Sequence, residues 1–162
     1  MRLRRRPRPD IHDTDPARRR AAIDTAGVGH NVLRRVVTTD PDHTVRCAAV
    51  RRLHDLVILR CVLEHDGDES VRESARVRYR QLLAGGDTLD INYRCAALEA
   101  CADHQIIAHV ARSAREPCLR RAAIGRIHEP RLLDEIRQHD ADATVRAAAG
   151  ARLAVETQRF ER

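Results

Sequence analysis

Apolar residues recur along this chain in short blocks spaced as one face of a helix, and acids punctuate the blocks. Val45, Ala49 and Leu53 form one such block, Asp55 follows, and Ile58, Leu59 and Val62 form the next. That pattern predicts two helices of about ten residues, each about 15 Å long, joined by a turn. The unit returns along the chain: DHTVRCAAVRRLHD begins at Asp42 and EPCLRRAAIGRIHE at Glu116. Second-helix stripes are also carried by Val32-Leu33/Val36, Ile106-Ile107/Val110 and Leu132-Leu133/Ile136. Helices this short are marginal alone, so the pattern predicts copies stacked on one another.

Aligned on one arginine, six copies emerge at Arg20, Arg46, Arg72, Arg94, Arg120 and Arg146, with gaps of 26, 26, 22, 26 and 26. An acid stands four residues earlier in five of them: Asp42, Asp68, Asp90, Glu116 and Asp142. In the first copy Pro16 holds that place and Asp15 precedes it. The acid is expected to cap the first helix, and the arginine to pair with that same acid one turn later. Second acids at Asp55, Asp103 and Glu129 mark the start of the second helix, with Pro130 at a first helical position. Copies three and six run on without an acid or turn where a second helix would start and predict one longer helix each, the first ending at Gly85-Gly86.

A shift of 74 residues superposes the two halves: 13 of 33 positions are identical between Arg46–Arg78 and Arg120–Arg152. The expected fold class is therefore all-α, an α-solenoid of about six short helical repeats made by tandem duplication of a three-repeat unit. The expected boundaries are a basic, disordered tail over 1–12, a first half over 13–86 and a second half over 87–162, jointed at Gly85–Asp87.

Composition narrows the chemistry. Trp is absent, Phe occurs once and Tyr twice, so the core must be thin layers of Ala, Val, Leu and Ile. The net charge of +6 resides mostly in residues 1–9, which hold five Arg and no acid. Lys is absent, which excludes a Schiff-base or P-loop lysine. No apolar run approaches the ~20 residues of a membrane span, and no signal-peptide pattern follows the basic start. The expectation is a cytoplasmic protein.

The run DPDHTVRCAAVRRLHD, with its Asp-x-Asp-x-x-Val-Arg opening, resembles HEAT-like repeats of the short bacterial type. The stretch DHQIIAHVARSAREPCLRRAAIGRIHEPRLLDEIRQHDADATVRAAA is most similar to the amino-terminal repeats of a large bacterial family of unknown function. More distantly, the chain resembles the HEAT-like repeats of phycobilin lyases. The resemblance covers roughly residues 13 to 155 and implies a surface that holds a protein, less often a nucleic acid or a pigment. It transfers no catalytic residue.

Site chemistry is sparse. GxSxG, HExxH, a Walker loop and GxGxxG are all absent, so no enzyme activity and no cofactor are expected. Cys47, Cys61, Cys95, Cys101 and Cys118 form no CxxC and read as reduced thiols acting as small hydrophobes. His30, His54, His104 and His128 pair across the duplication and flank the inter-helix turns. They are the weak candidates for a metal, against the simpler reading of imidazoles that cap helix ends. The best basic face is Arg76, Arg78 and Arg80 beside Tyr79, with Arg51 and Arg52 as a second cluster. The expected function is a non-catalytic scaffold or adaptor binding a protein partner along its helical surface. The alternatives are arginine-mediated binding of nucleic acid or another polyanion, the Arg-rich tail contributing, and a lyase or chaperone for a tetrapyrrole.

Overall fold

The computed structural model describes residues 10–25, 27–85 and 89–160. The expectations for the nine N-terminal residues and for most of the joint at Gly85–Asp87 lie outside them. Among the described residues there are ten helices and no strand, so the chain is all-α. The helices are α1 (Pro16–Asp24), α2 (His30–Thr39), α3 (His43–Arg52), α4 (Leu56–His65), α5 (Glu69–Leu83), α6 (Ile91–Glu99), α7 (His104–Ser113), α8 (Pro117–Ile124), α9 (Pro130–His139) and α10 (Ala143–Phe160). Four short helices and one longer helix thus occur twice. No helix among the described residues is long and apolar enough to cross a membrane.

The chain forms two compact units, residues 1–78 and 79–162, divided within α5. In the first, α3 packs on α1 and α2, and α4 on α2. In the second, α8 packs on α6 and α7, α9 on α7, and α10 on α8 and α9. Ala49, Ala75, Ala123 and Ala149, each three residues after an aligned arginine, have no exposed surface. A methyl side chain there lets neighbouring helices approach closely and loses no rotamer freedom on burial. Leu53, Leu56 and Leu59 are buried with Ala49 in the first unit, and Leu119, Leu133 and Val145 in the second. Gly85 ends α5 at φ +95°, where a Cβ would meet the Arg94 Nη2 at 3.0 Å, so glycine suits both the backbone and the space.

Capping acids start the helices largely as their positions predict. Asp42 accepts from the Thr44 and Val45 amides, Asp90 from Asn92 and Tyr93, Asp55 from Ile58, and Asp103 from Gln105 and Ile106. Glu116 and Glu129 make no such bond, and each is followed directly by a proline that lacks the N–H.

The arginine pairing differs from the expectation. Arg46 does not pair with Asp42 four residues back; it reaches Asp66, twenty residues on, with Nε 3.0 Å from Oδ2 and Nη2 2.9 Å from Oδ1. Its Nη1 donates to the Asp40 and Pro41 carbonyls in the loop before its own helix. Arg120 does the same with Asp140 and with the Ala114 and Arg115 carbonyls. Each arginine therefore ties the loop before its copy to the loop after it. The two acids of Asp-x-Asp divide the work: Asp42, Asp68 and Asp142 cap, while Asp40, Asp66 and Asp140 accept the following aspartate's amide. Burial acts to raise the Asp66 carboxyl, but the Arg46 bond and the Asp68 amide outweigh it and hold it below the usual range.

The same geometry corrects the first copy. Arg19, not Arg20, makes the forward pair, with Nε and Nη2 each 2.9 Å from the Asp40 carboxylate. Its capping acid is then Asp15, four residues back, which accepts from the Ala17 amide. Copy four is followed by Ala114 where the loops after copies one, two and five carry the pairing aspartate. Arg94 turns instead to Glu116 at 2.7 Å and to the Leu83 carbonyl, and is 2% exposed.

A second set of arginines, six residues after the first, points backward. Arg52 donates to the Ile23 and Thr25 carbonyls, Arg78 to Leu53, Arg126 to Leu98, Glu99 and Cys101, and Arg152 to Ile127. These carbonyls end the first helix of the preceding copy, where helical partners run out. The six-residue spacing places Ala100 in copy four. That copy follows the single long helix of copy three, which has no such turn to clasp.

Candidate functional site

Where the backward arginines meet the inter-helix turns, each unit has an open hollow. The larger, about 380 Å³, is walled by Val28 and Leu33 and ringed by His30, Arg51, Arg52, His54 and Arg78. The smaller, about 230 Å³, contains His104, Arg126, His128 and Glu129 over an apolar floor of Ile107 and Leu132. Four residues correspond across the 74-residue shift: His30 with His104, Leu33 with Ile107, Arg52 with Arg126 and His54 with His128. The hollows are thus one feature present in two versions.

Local structure explains how the histidines arrive there. Gly29 is the N-cap of α2 and Asp103 that of α7, which makes His30 and His104 the first helical residues. His54 lies between the C-cap of α3, Leu53, and the N-cap of α4, Asp55. His128 holds the same place before Glu129, the N-cap of α9.

The electrostatics of the two hollows differ. Near the first, the Asp55 carboxylate caps Ile58 and lies 3.5 Å from the Arg34 Nε and 3.8 Å from the His30 Nε2. Arg51 is exposed and has no hydrogen-bond or ion-pair partner among the described residues. Beside the second, the His128 Nδ1 lies 3.1 Å from Glu156 Oε1 and 2.9 Å from the Arg152 Nη2, which is itself 2.6 Å from Glu156. Glu156 is 2% exposed, and Leu82 is its counterpart across the 74-residue shift. The first hollow has three arginines and no carboxylate in its lining; the second has Glu129 in its lining and Glu156 beside it.

Of the residues singled out in the sequence, Arg51, Arg52 and Arg78 come together with His30 and His54 around the first hollow. Arg76 pairs with Glu73 on its own helix. Tyr79 does not stand on a basic face: its ring is wholly buried and its hydroxyl donates to the Ala97 carbonyl at 2.7 Å. Arg80 is half-buried; with burial the larger cause, its charge and that of Arg112 lower the His109 imidazole and favour the neutral form. The four turn histidines divide two and two between the hollows, and no group of three or more His, Cys, Asp or Glu fit to hold a metal occurs among the described residues. His65 and His139 contact the Cys61 and Glu135 carbonyls at 3.1 and 3.0 Å, the capping role expected at a helix end. All five cysteines are free, Cys61 and Cys118 on the surface.

One surface feature escaped the sequence reading. On α4 the outer face is Val57, Cys61 and Glu64, with Ile58 and Leu63 half-buried at its margin. Val57 is 58% exposed. The corresponding outer positions are Asn31, Arg35 and Thr38 on α2, Gln105, His109 and Arg112 on α7, and Arg131, Glu135 and Gln138 on α9. The signal was the unbroken LVIL opening of α4, which has more apolar residues than one buried stripe requires. Searches of protein-family models, curated proteins and solved structures find no match to this chain.

Proposed function

We propose that this chain is a non-catalytic scaffold, a HEAT-like α-solenoid that holds a protein partner against its second helices, with α4 as the main contact. The observation that carries the reading is the apolar face of Val57 and Cys61, found on α4 where α2, α7 and α9 have polar or charged residues. An apolar patch kept on one of several equivalent helices fits a contact surface better than a solvated one. The loop-to-loop and turn-clasping arginines support the repeat-stacking half of the proposal. They also weigh against a general polyanion binder, because Arg19, Arg46, Arg94 and Arg120 are paired with acids inside the fold.

The test uses a photo-crosslinking residue in place of Val57 and, as its internal control, of Arg131 at the same position of α9. A partner captured from 57 and not from 131 is purified and recombined with the intact chain. Loss of binding on Val57→Glu, with unchanged melting, is the expected result. Equal capture from both positions, or binding indifferent to Val57→Glu, overturns the assignment to α4. Retention on heparin that disappears at high salt and on deletion of residues 1–12 would favour the polyanion reading instead.

A further inference from the structure

We propose that the hollow at the Leu53–Asp55 turn is a binding site for a phosphate group. Three guanidinium groups and two imidazoles ring it, and no carboxylate lines it. Like charges gathered in one concavity repel one another, and an anion seated among them converts that repulsion into attraction. Val28 and Leu33 form apolar walls, and low-dielectric walls focus the field of the charges beside them.

The arginines are prepared for this task in two ways. Arg52 is held by the Ile23 and Thr25 carbonyls and Arg78 by the Leu53 carbonyl, so both guanidiniums are anchored by backbone groups. Such anchoring removes the side-chain ordering cost that would otherwise oppose binding. Arg51, exposed and without a partner among the described residues, can close over the bound group. Guanidinium forks match the paired oxygens of a phosphate, whose double charge also fits so many donors better than a single carboxylate does. Asp55, close by, is engaged by the Ile58 amide, Arg34 and, more distantly, His30.

The duplicated hollow supplies the contrast. There Gly125 replaces Arg51, Glu129, the counterpart of Asp55, reaches the lining, and Glu156 holds Arg152 and His128. Of the two versions, only the first therefore has three arginines and no carboxylate in its lining. This inference stands independently of the partner surface on α4.

The experiment titrates the intact chain with inorganic phosphate and, separately, with O-phosphoserine, at fixed pH and ionic strength. The imidazole NMR signals are followed in the wild type and in Arg51→Gln. Saturable shifts of His30 and His54, with His104 and His128 still, are expected. Arg51→Gln should weaken binding by about tenfold or more at unchanged melting temperature. Tighter binding of the free ion names a free-anion site; tighter binding of the ester names a site for a phosphorylated chain. The absence of saturable shifts with either probe, equal movement at His104 and His128, or indifference to Arg51→Gln overturns the proposal.

Discussion

Arg46 and Asp66 meet in a two-pronged ion pair across the width of one repeat, with both N···O distances within 3.0 Å. The pair is largely shielded, with side-chain exposures of 15% and 10%. Removing one member leaves a partly buried charge without its counterpart, so Arg46→Met should destabilise the fold by about 2 kcal/mol. Asp66→Asn should have an effect of similar size, and the double variant should cost less than the sum. Urea unfolding measures all three; strict additivity would mean that the two side chains do not couple.

Acid should weaken the fold through the loops. Asp42, Asp66, Asp68, Asp140, Asp142 and Glu116 are all held below their ordinary values by hydrogen bonds, most of them working against burial. A carboxyl lowered on folding gives its full stabilisation above its unfolded value, 3.8 for aspartate, and loses it as pH falls through the lower folded value. The melting temperature should therefore be insensitive to these groups above about pH 5 and drop steeply below about pH 4. Asp66→Asn combined with Asp140→Asn should lower it at neutral pH and flatten the acid limb.

Glu156 offers a sharper contrast, because the duplication has already made the substitution at Leu82. Glu156→Leu should change stability by less than about 1 kcal/mol, since Arg152 keeps the Ile127 carbonyl and an apolar side chain suits the site. Arg152→Met should destabilise by about 2 kcal/mol or more, because it weakens the turn clasp and removes a charged partner of the buried carboxylate. Thermal melts of the two variants decide it; equal losses would refute this account of the cluster.

Ala49→Asp and Leu133→Asp place a charge where neither residue has exposed surface. Both should unfold the chain, with losses above about 4 kcal/mol. Arg131→Asp, two positions from Leu133 but exposed, should fold normally. Circular dichroism at 222 nm distinguishes these outcomes.

The helix periodicity was legible in the sequence because each copy carries its own caps and stripe: Asp55, Asp103 and Pro130 mark helix starts that the structure repeats. The arginine's true partner was hidden because pairing within one helix is visible as a four-residue spacing, whereas Asp66 lies in the next loop. In the run Arg18–Arg20 three adjacent arginines competed for one role, and only Asp40, a copy away, selects Arg19. Tyr79 was misplaced although a signal existed, since it stands four residues after Ala75 on the buried stripe of α5. The hollow in the first unit needs residues from α2, the α3–α4 turn and α5 at once, which no local pattern can supply.

The arginine clasps also bear on how the chain acquires its structure. The ties described between copies join residues between 11 and 29 positions apart, from Arg94 with Leu83 to Arg52 with Ile23. Loops that short close at small entropic cost, and a chain built of them has low contact order, which favours rapid folding. Within each unit a copy can dock on its predecessor as soon as it emerges during synthesis, without waiting for a distant segment. A lesion in one clasp should then slow the docking of its own copy and leave the earlier ones to assemble at their normal rate.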